Sequence, residues 1–244
     1  CFWAPECHII DGRYYLFFSA NQKSSDALES FAITCVRCDT PDGVFEDFLR
    51  RPIFVMDYPT IDGNIYVEDG HVYLYYSRCC FEHNVNGLEE SWVYGVELKP
   101  DLTGILGEPQ LLLQPEQEWE GRSSSTTGRR WNEGSFLIKE NDRYYMMYSA
   151  NYYMERHYAM GYSVGLSPMG PFVKAEENPI AECTDRITGT GHGCLVRTGD
   201  GLKAVYHGRT EATGEARVGF SAPACIQSKK LKIDTLKAEM MLEI

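Results

Sequence analysis

Asp11-Gly12-Arg13-Tyr14-Tyr15-Leu16-Phe17-Phe18-Ser19-Ala20 couples a turn dipeptide to a run of aromatic and apolar residues that favour strand. The same pattern returns as Asp69-Gly70-His71-Val72-Tyr73-Leu74-Tyr75-Tyr76-Ser77 and as Asn141-Asp142-Arg143-Tyr144-Tyr145-Met146-Met147-Tyr148-Ser149-Ala150. A fourth copy reads Asp200-Gly201-Leu202-Lys203-Ala204-Val205-Tyr206-His207-Gly208. The turns begin at positions 11, 69, 141 and 200, so the intervals are 58, 72 and 59 residues. Four in-phase hairpins decide the fold class, because a repeat of this kind implies one structural unit used several times.

Each hairpin is followed by another strand and a Pro/Gly turn. Ala32-Ile33-Thr34-Cys35-Val36 leads to Pro41-Asp42-Gly43, Tyr94-Gly95-Val96-Glu97-Leu98 leads to Lys99-Pro100-Asp101, and Met160-Gly161-Tyr162-Ser163-Val164 leads to Pro168-Met169-Gly170-Pro171. A unit of this length holds four short strands, the content of one propeller blade. The expectation is therefore an all-β propeller, a single domain over 1–244 with blade-like units of about 1–55, 56–115, 116–180 and 181–244. A β-sandwich would not account for four equivalent copies, and solenoid repeats run shorter, at about 20–45 residues.

Composition agrees. The chain has 244 residues, 13% of them aromatic, with 16 tyrosines, and that length supports one large core. Asp and Glu number 35 against 23 Lys and Arg, a formal charge of −12, which disfavours nucleic acid as a partner. No run of 18 apolar residues suggests a membrane span, and no signal-peptide pattern is visible. Nine cysteines include Cys35-Val36-Arg37-Cys38, but no second pair stands at zinc-ligand spacing. They read as ordinary thiols, which points to a reducing compartment and a cytoplasmic location.

Ahead of each hairpin lies a short strand with a distinctive polar residue: Trp3-Ala4-Pro5-Glu6, Ile61-Asp62-Gly63-Asn64, Trp131-Asn132-Glu133-Gly134 and Gly191-His192-Gly193. The first strand of a blade lines the central channel, so Glu6, Asp62, Glu133 and His192 are expected to converge there as equivalent positions. Converging carboxylates suit glycoside hydrolysis, in which one acid must donate a proton and another must be ionised. Their mutual repulsion raises the pKa of one member. A lone acid at a strand start can equally be a solvated turn residue, and His192 a structural histidine. Phe2, Trp3, Tyr58 and Trp131 stand beside these positions and are either core or platforms for the C–H faces of a sugar.

These motifs, in this order, resemble glycoside hydrolase family 43, the five-bladed propellers acting on arabinose- and xylose-containing polysaccharides. The resemblance runs over nearly the whole chain and matches its four units to blades two to five. It implies that Glu133 is the general acid and that Asp62 is the carboxylate that tunes and orients it. The sugar-binding candidates are Phe2, Trp3, Glu6, Trp131 and Arg209, the last within Val205-Tyr206-His207-Gly208-Arg209. His192 matches a channel histidine that in some relatives helps hold a calcium or sodium ion through water; no cofactor is required. The family's general base is an Asp in a first blade, upstream of Trp3-Ala4-Pro5, and that blade is expected to be missing from these residues, leaving the chain impaired. The resemblance implies inverting hydrolysis of a terminal α-L-arabinofuranoside, with a β-xyloside second. A non-catalytic carbohydrate-binding propeller and a four-bladed scaffold for protein partners are the readings from other classes.

Overall fold

A computed structural model describes residues 2–21, 30–79 and 83–241. Its strands fall into four antiparallel groups. The first holds β1 (Phe2–Ile10), β2 (Arg13–Ala20) and β3 (Ala32–Cys38). The second holds β4 (Thr60–Glu68), β5 (His71–Arg78), the short β6 (Asn84–Val85), β7 (Leu88–Leu98) and β8 (Ile105–Leu113). The third holds β9 (Arg129–Glu140), β10 (Arg143–Ala150), β11 (Ala159–Gly165) and β12 (Val173–Lys174). The fourth holds β13 (Thr188–Thr198), β14 (Gly201–Arg209), β15 (Val218–Gln227), β16 (Lys230–Ile233) and β17 (Glu239–Met240). Within each group the long strands pair in meander order, with the short β6 added to β7 and β17 to β15. The second and third groups are also stitched together by a short parallel pairing of Glu89, Glu90 and Ser91 with Arg129, Arg130 and Trp131.

The hairpins form because the turn residues accept left-handed backbone: φ is 49° at Asp11, 51° at Asp69 and 54° at Asn141. Asp and Asn tolerate that region better than other non-glycine residues. The fourth turn places Gly201 at φ 120°. Successive sheets pack face to face through three apolar layers. Phe17, Ile33, Ile65 and Leu74 fill the first, Tyr75, Val93, Leu137 and Tyr148 the second, and Met147, Tyr162, Tyr206 and Phe220 the third. Full burial of each such ring or branched side chain contributes about 1.5–3 kcal/mol.

The first sheet keeps one face open. Along β1, Phe2, Pro5, Cys7 and Ile9 are exposed in near alternation, and Ile9 is 63% accessible. On the fourth sheet Val196 is likewise exposed. Among the described residues no helix is long and apolar enough to cross a membrane.

Candidate active site

The four inner strands β1, β4, β9 and β13 share one irregularity. Each is bulged against its hairpin partner, between Trp3 and Glu6, Ile61 and Asn64, Glu133 and Phe136, and Gly191 and Cys194. Each bulge holds one residue at positive φ: 45° at Ala4, 58° at Asp62, 56° at Gly134 and 49° at His192. A bulge re-aims side chains at a sheet edge. This register corrects the equivalence drawn from sequence. Asp62 and His192 correspond to Ala4 and Gly134, Glu133 corresponds to Trp3, Ile61 and Gly191, and Glu6 corresponds to Asn64. The polar residues therefore occupy successive levels of the inner surface rather than one ring.

Hydroxyl groups fix the bulges from the neighbouring sheet. The Asp62 N–H donates to Ser19 Oγ at 3.0 Å, the Gly134 N–H to Ser77 Oγ at 3.2 Å and the His192 N–H to Ser149 Oγ at 2.7 Å. Each serine faces its own sheet's pre-bulge residue, so the pattern advances one sheet at a time. The fourth sheet carries His207 at that register position, opposite Gly191. Both ring nitrogens of His207 are buried without a hydrogen-bond partner among the described residues. Burial first, then the charges of Arg217, His192 and Arg209, depress its pKa to about 3, so the ring is neutral.

Glu133 and Asp62 are 6% and 7% exposed. Ser77 Oγ lies 3.4 Å from Asp62 Oδ2 and donates to it. Burial pushes the Glu133 carboxyl well above its ordinary range, and the charge of Asp62 adds to that rise. The Tyr158 hydroxyl opposes it, donating to Glu133 Oε1 at 2.8 Å. One carboxyl is thus disposed to keep its proton beside a second that makes losing it costly, the division of labour an acid catalyst needs.

Beneath Glu133, the Lys174 ammonium is buried against Glu120 and donates to Asn132 Oδ1 at 2.7 Å and the Gln114 carbonyl at 2.7 Å. Asn132 Nδ2 returns a bond to Glu120 Oε1 at 3.2 Å, and the backbone N–H groups of Glu116 and Gln117 both donate to Glu120 Oε2 at 2.7 Å. The residue preceding Glu133 is therefore clamped by a satisfied polar network.

With this arrangement in view, the sequence profile of "Glycosyl hydrolases family 43" matches residues 1–234. The chain belongs to glycosyl hydrolase family 43. It is 28% identical over 220 residues to an extracellular exo-alpha-(1->5)-L-arabinofuranosidase of Streptomyces chartreusis, covering 85% of this chain and 62% of that protein. It is 28% identical to xylosidase/arabinosidase 43A of Humicola insolens, over 70% of this chain and 56% of the relative. The chain thus spans less than two-thirds of the length of either. A thermostable family 43 glycoside hydrolase superposes with a TM-score of 0.87 at 34% identity, covering 96% of this chain and 74% of the other.

The remaining family 43 candidates are placed as follows. Glu6 does not meet the other two acids; its Oε1 accepts from Asn64 Nδ2 at 2.7 Å and lies 2.6 Å from His8 Nε2. Trp131 is 4% exposed, in a cluster with Phe31, Ile61 and Cys79 against which Trp3, Tyr152 and Tyr153 pack. The Trp131 ring is thus almost wholly enclosed by this packing. Trp3 stacks on Phe31 at 4.0 Å, and Phe2, 76% exposed, meets Phe18 edge-on. Arg209 is buried and donates to the carbonyls of Glu215 at 2.9 Å and Tyr153 at 3.0 Å, pinning two loops. Tyr58 bonds Tyr76 at 3.0 Å, outside the carboxylate cluster. The His192 ring lies against Gly134, where an added Cβ would come within 3.1 Å of it. No three His, Cys, Asp or Glu side chains converge to hold a metal among the described residues. His192 offers a single imidazole nitrogen where calcium takes six to eight oxygens, so an ion beside it would be held through water.

Sequence reasoning missed Tyr158, Ser77, Ser149 and Lys174. Tyr158 lies in the segment leading into β11, outside every repeated motif. Serines stand at or next to the end of three of the four quoted hairpin runs, so their shared position was visible, but their acceptor role depends on the neighbouring sheet.

Proposed function

We propose that this chain carries the acid half of an inverting glycosidase acting on terminal α-L-arabinofuranosyl residues, with β-xylosyl residues second. Glu133 protonates the leaving oxygen. Asp62 keeps that proton in place until the bond breaks and helps orient the acid. A third, ionised carboxylate activates water on the opposite face of the sugar ring. The observation that carries this reading is the buried Glu133 carboxyl, raised above its ordinary range by burial and by Asp62.

Glu6 is a poor source of the third carboxylate, because its oxygen is engaged by His8 and Asn64. We assign the base to a further blade seated between the first and fourth sheets. The exposed face of β1, the His207 ring nitrogens without a hydrogen-bond partner and the greater length of the relatives support that assignment. The substrate reading leans on the arabinofuranosidase and xylosidase relatives.

The test is hydrolysis of aryl α-L-arabinofuranosides, aryl β-xylosides and a natural oligosaccharide by this chain and by a longer chain with the native upstream sequence. The longer chain is expected to be active, with Glu133→Gln slowing the oligosaccharide by roughly 10²–10⁴. Undiminished oligosaccharide turnover by that variant removes Glu133 as the acid. The engagement of Glu6 favours a second reading, a carbohydrate-binding propeller without catalysis. Sugar binding with no hydrolysis by either chain selects it.

A further inference from the structure

The ring of Tyr158 is enclosed on every side. It is 1% exposed and stacks on His207 with centroids 5.6 Å apart and 12° between the planes. Gly191 passes so close that a Cβ there would sit 2.0 Å from the ring. The hydroxyl is left aimed at Glu133 Oε1, 2.8 Å away. The Ser149 hydroxyl faces the phenol oxygen and favours charge on it, while accepting the His192 N–H at 2.7 Å.

We propose that Tyr158 is the positioning residue of the acid: its hydroxyl holds the Glu133 carboxyl in one orientation and takes up part of the charge that appears there as the proton leaves. The proposal rests on the reading of Glu133 as acid. When the glycosidic C–O bond breaks, its electron pair goes to the leaving oxygen, which receives the Glu133 proton. The carboxylate left behind accepts from Tyr158, which exchanges no atom. Burial and the charges of Glu133 and Asp62 push the phenol's own ionisation well up, so it stays a donor throughout.

Four side chains act on the charge of Glu133. Asp62 of β4 and Cys79 just after β5 favour its neutral form; Tyr158, ahead of β11, and Arg217, ahead of β15, favour the charged form. The imidazole of His192 on β13 lies beside the adjoining Gly134. Of the two groups that favour charge, Tyr158 is the one in hydrogen-bond contact.

The experiment is a carboxyl ¹³C NMR titration of the chain labelled at glutamate Cδ, with the Glu133 signal identified by its loss in Glu133→Gln. In Tyr158→Phe the Glu133 midpoint is expected to rise by about one to two units, the usual worth of a hydrogen bond to a charged group. Replacing Tyr158 by 3-fluorotyrosine keeps the ring in place, strengthens the donor and is expected to lower the midpoint. A midpoint unmoved in both proteins overturns the proposal. In the longer active chain, Tyr158→Phe is expected to slow glycosides with poor leaving groups more than those with good ones. Equal slowing would mark Tyr158 as merely structural and overturn the proposal. Failure of the acid assignment shows separately, as oligosaccharide turnover that survives Glu133→Gln.

Discussion

At Glu133 the proposed acid role and stability pull in opposite directions. The folded protein holds this carboxyl's pKa above the ordinary value, whereas the unfolded chain titrates near 4.3. Below the unfolded pKa both states hold the proton and the site carries no penalty. As pH rises through the window up to the folded pKa, the unfolded state gives up its proton first and stability falls. Glu133→Gln cannot ionise, so it should melt above the wild type at pH 7 and close to it at pH 4, which thermal unfolding at the two pH values checks. A variant melting below wild type at pH 7 would mean the hydrogen bond from Tyr158 outweighs the burial of the charge. Asp62→Asn should act on the same group from the other side. Removing the neighbouring charge lowers the Glu133 midpoint, so the basic limb of the rate profile moves to lower pH.

Among the elements, β9 has the most to lose. Its Asn132 is held by Lys174 and Glu120, side chains that are 3% and 0% exposed. Lys174→Met would strand a buried carboxylate and should cost about 3–5 kcal/mol in denaturant unfolding. A loss under 1 kcal/mol would show that Glu120 is adequately satisfied by the backbone N–H groups of Glu116 and Gln117. The hairpins were legible in sequence because Asp11, Asp69 and Asn141 are local signals: a turn residue that tolerates positive φ, then a β-rich run. The family and both candidate carboxylates were legible for a similar reason, since the repeat marks the inner strands. The bulge was not. It offsets Glu133 from Asp62 by one register step, which alignment by residue type hid. Trp131 looked like a sugar platform beside an acid, and nothing local says that Phe31 and Tyr153, distant in sequence, pack on it. Tyr158 reaches Glu133 only through tertiary packing and has no periodic signature.

At the scale of the whole molecule, the open face of the first sheet is the feature to probe. Cys7 lies on it, exposed, while Cys35 is buried within the same sheet. In this chain alone the exposed Cys7 should react with a thiol reagent faster than Cys35, whose burial pushes its thiol up to about 12. If a further blade seats against β1, Cys7 should be protected at least tenfold in the longer chain, read by mass spectrometry after timed labelling. Equal labelling in both chains would leave that face bare and remove the assigned source of the base. Uncovered apolar sheet also invites self-association, so the shorter chain should scatter more light at equal concentration.

The serine contacts have a consequence for how such a protein can be re-engineered. The geometry of three of the four inner bends belongs to two neighbours jointly, because the bend's amide is anchored by a hydroxyl from the sheet before it. Transplanting the second or third unit from a homologue breaks two such handovers at once, on entry and on exit. Cutting the chain in the middle of a unit and joining old ends elsewhere leaves every handover intact. Chimeras of this protein should therefore be spliced within units, with each junction between sheets inherited whole from a single parent.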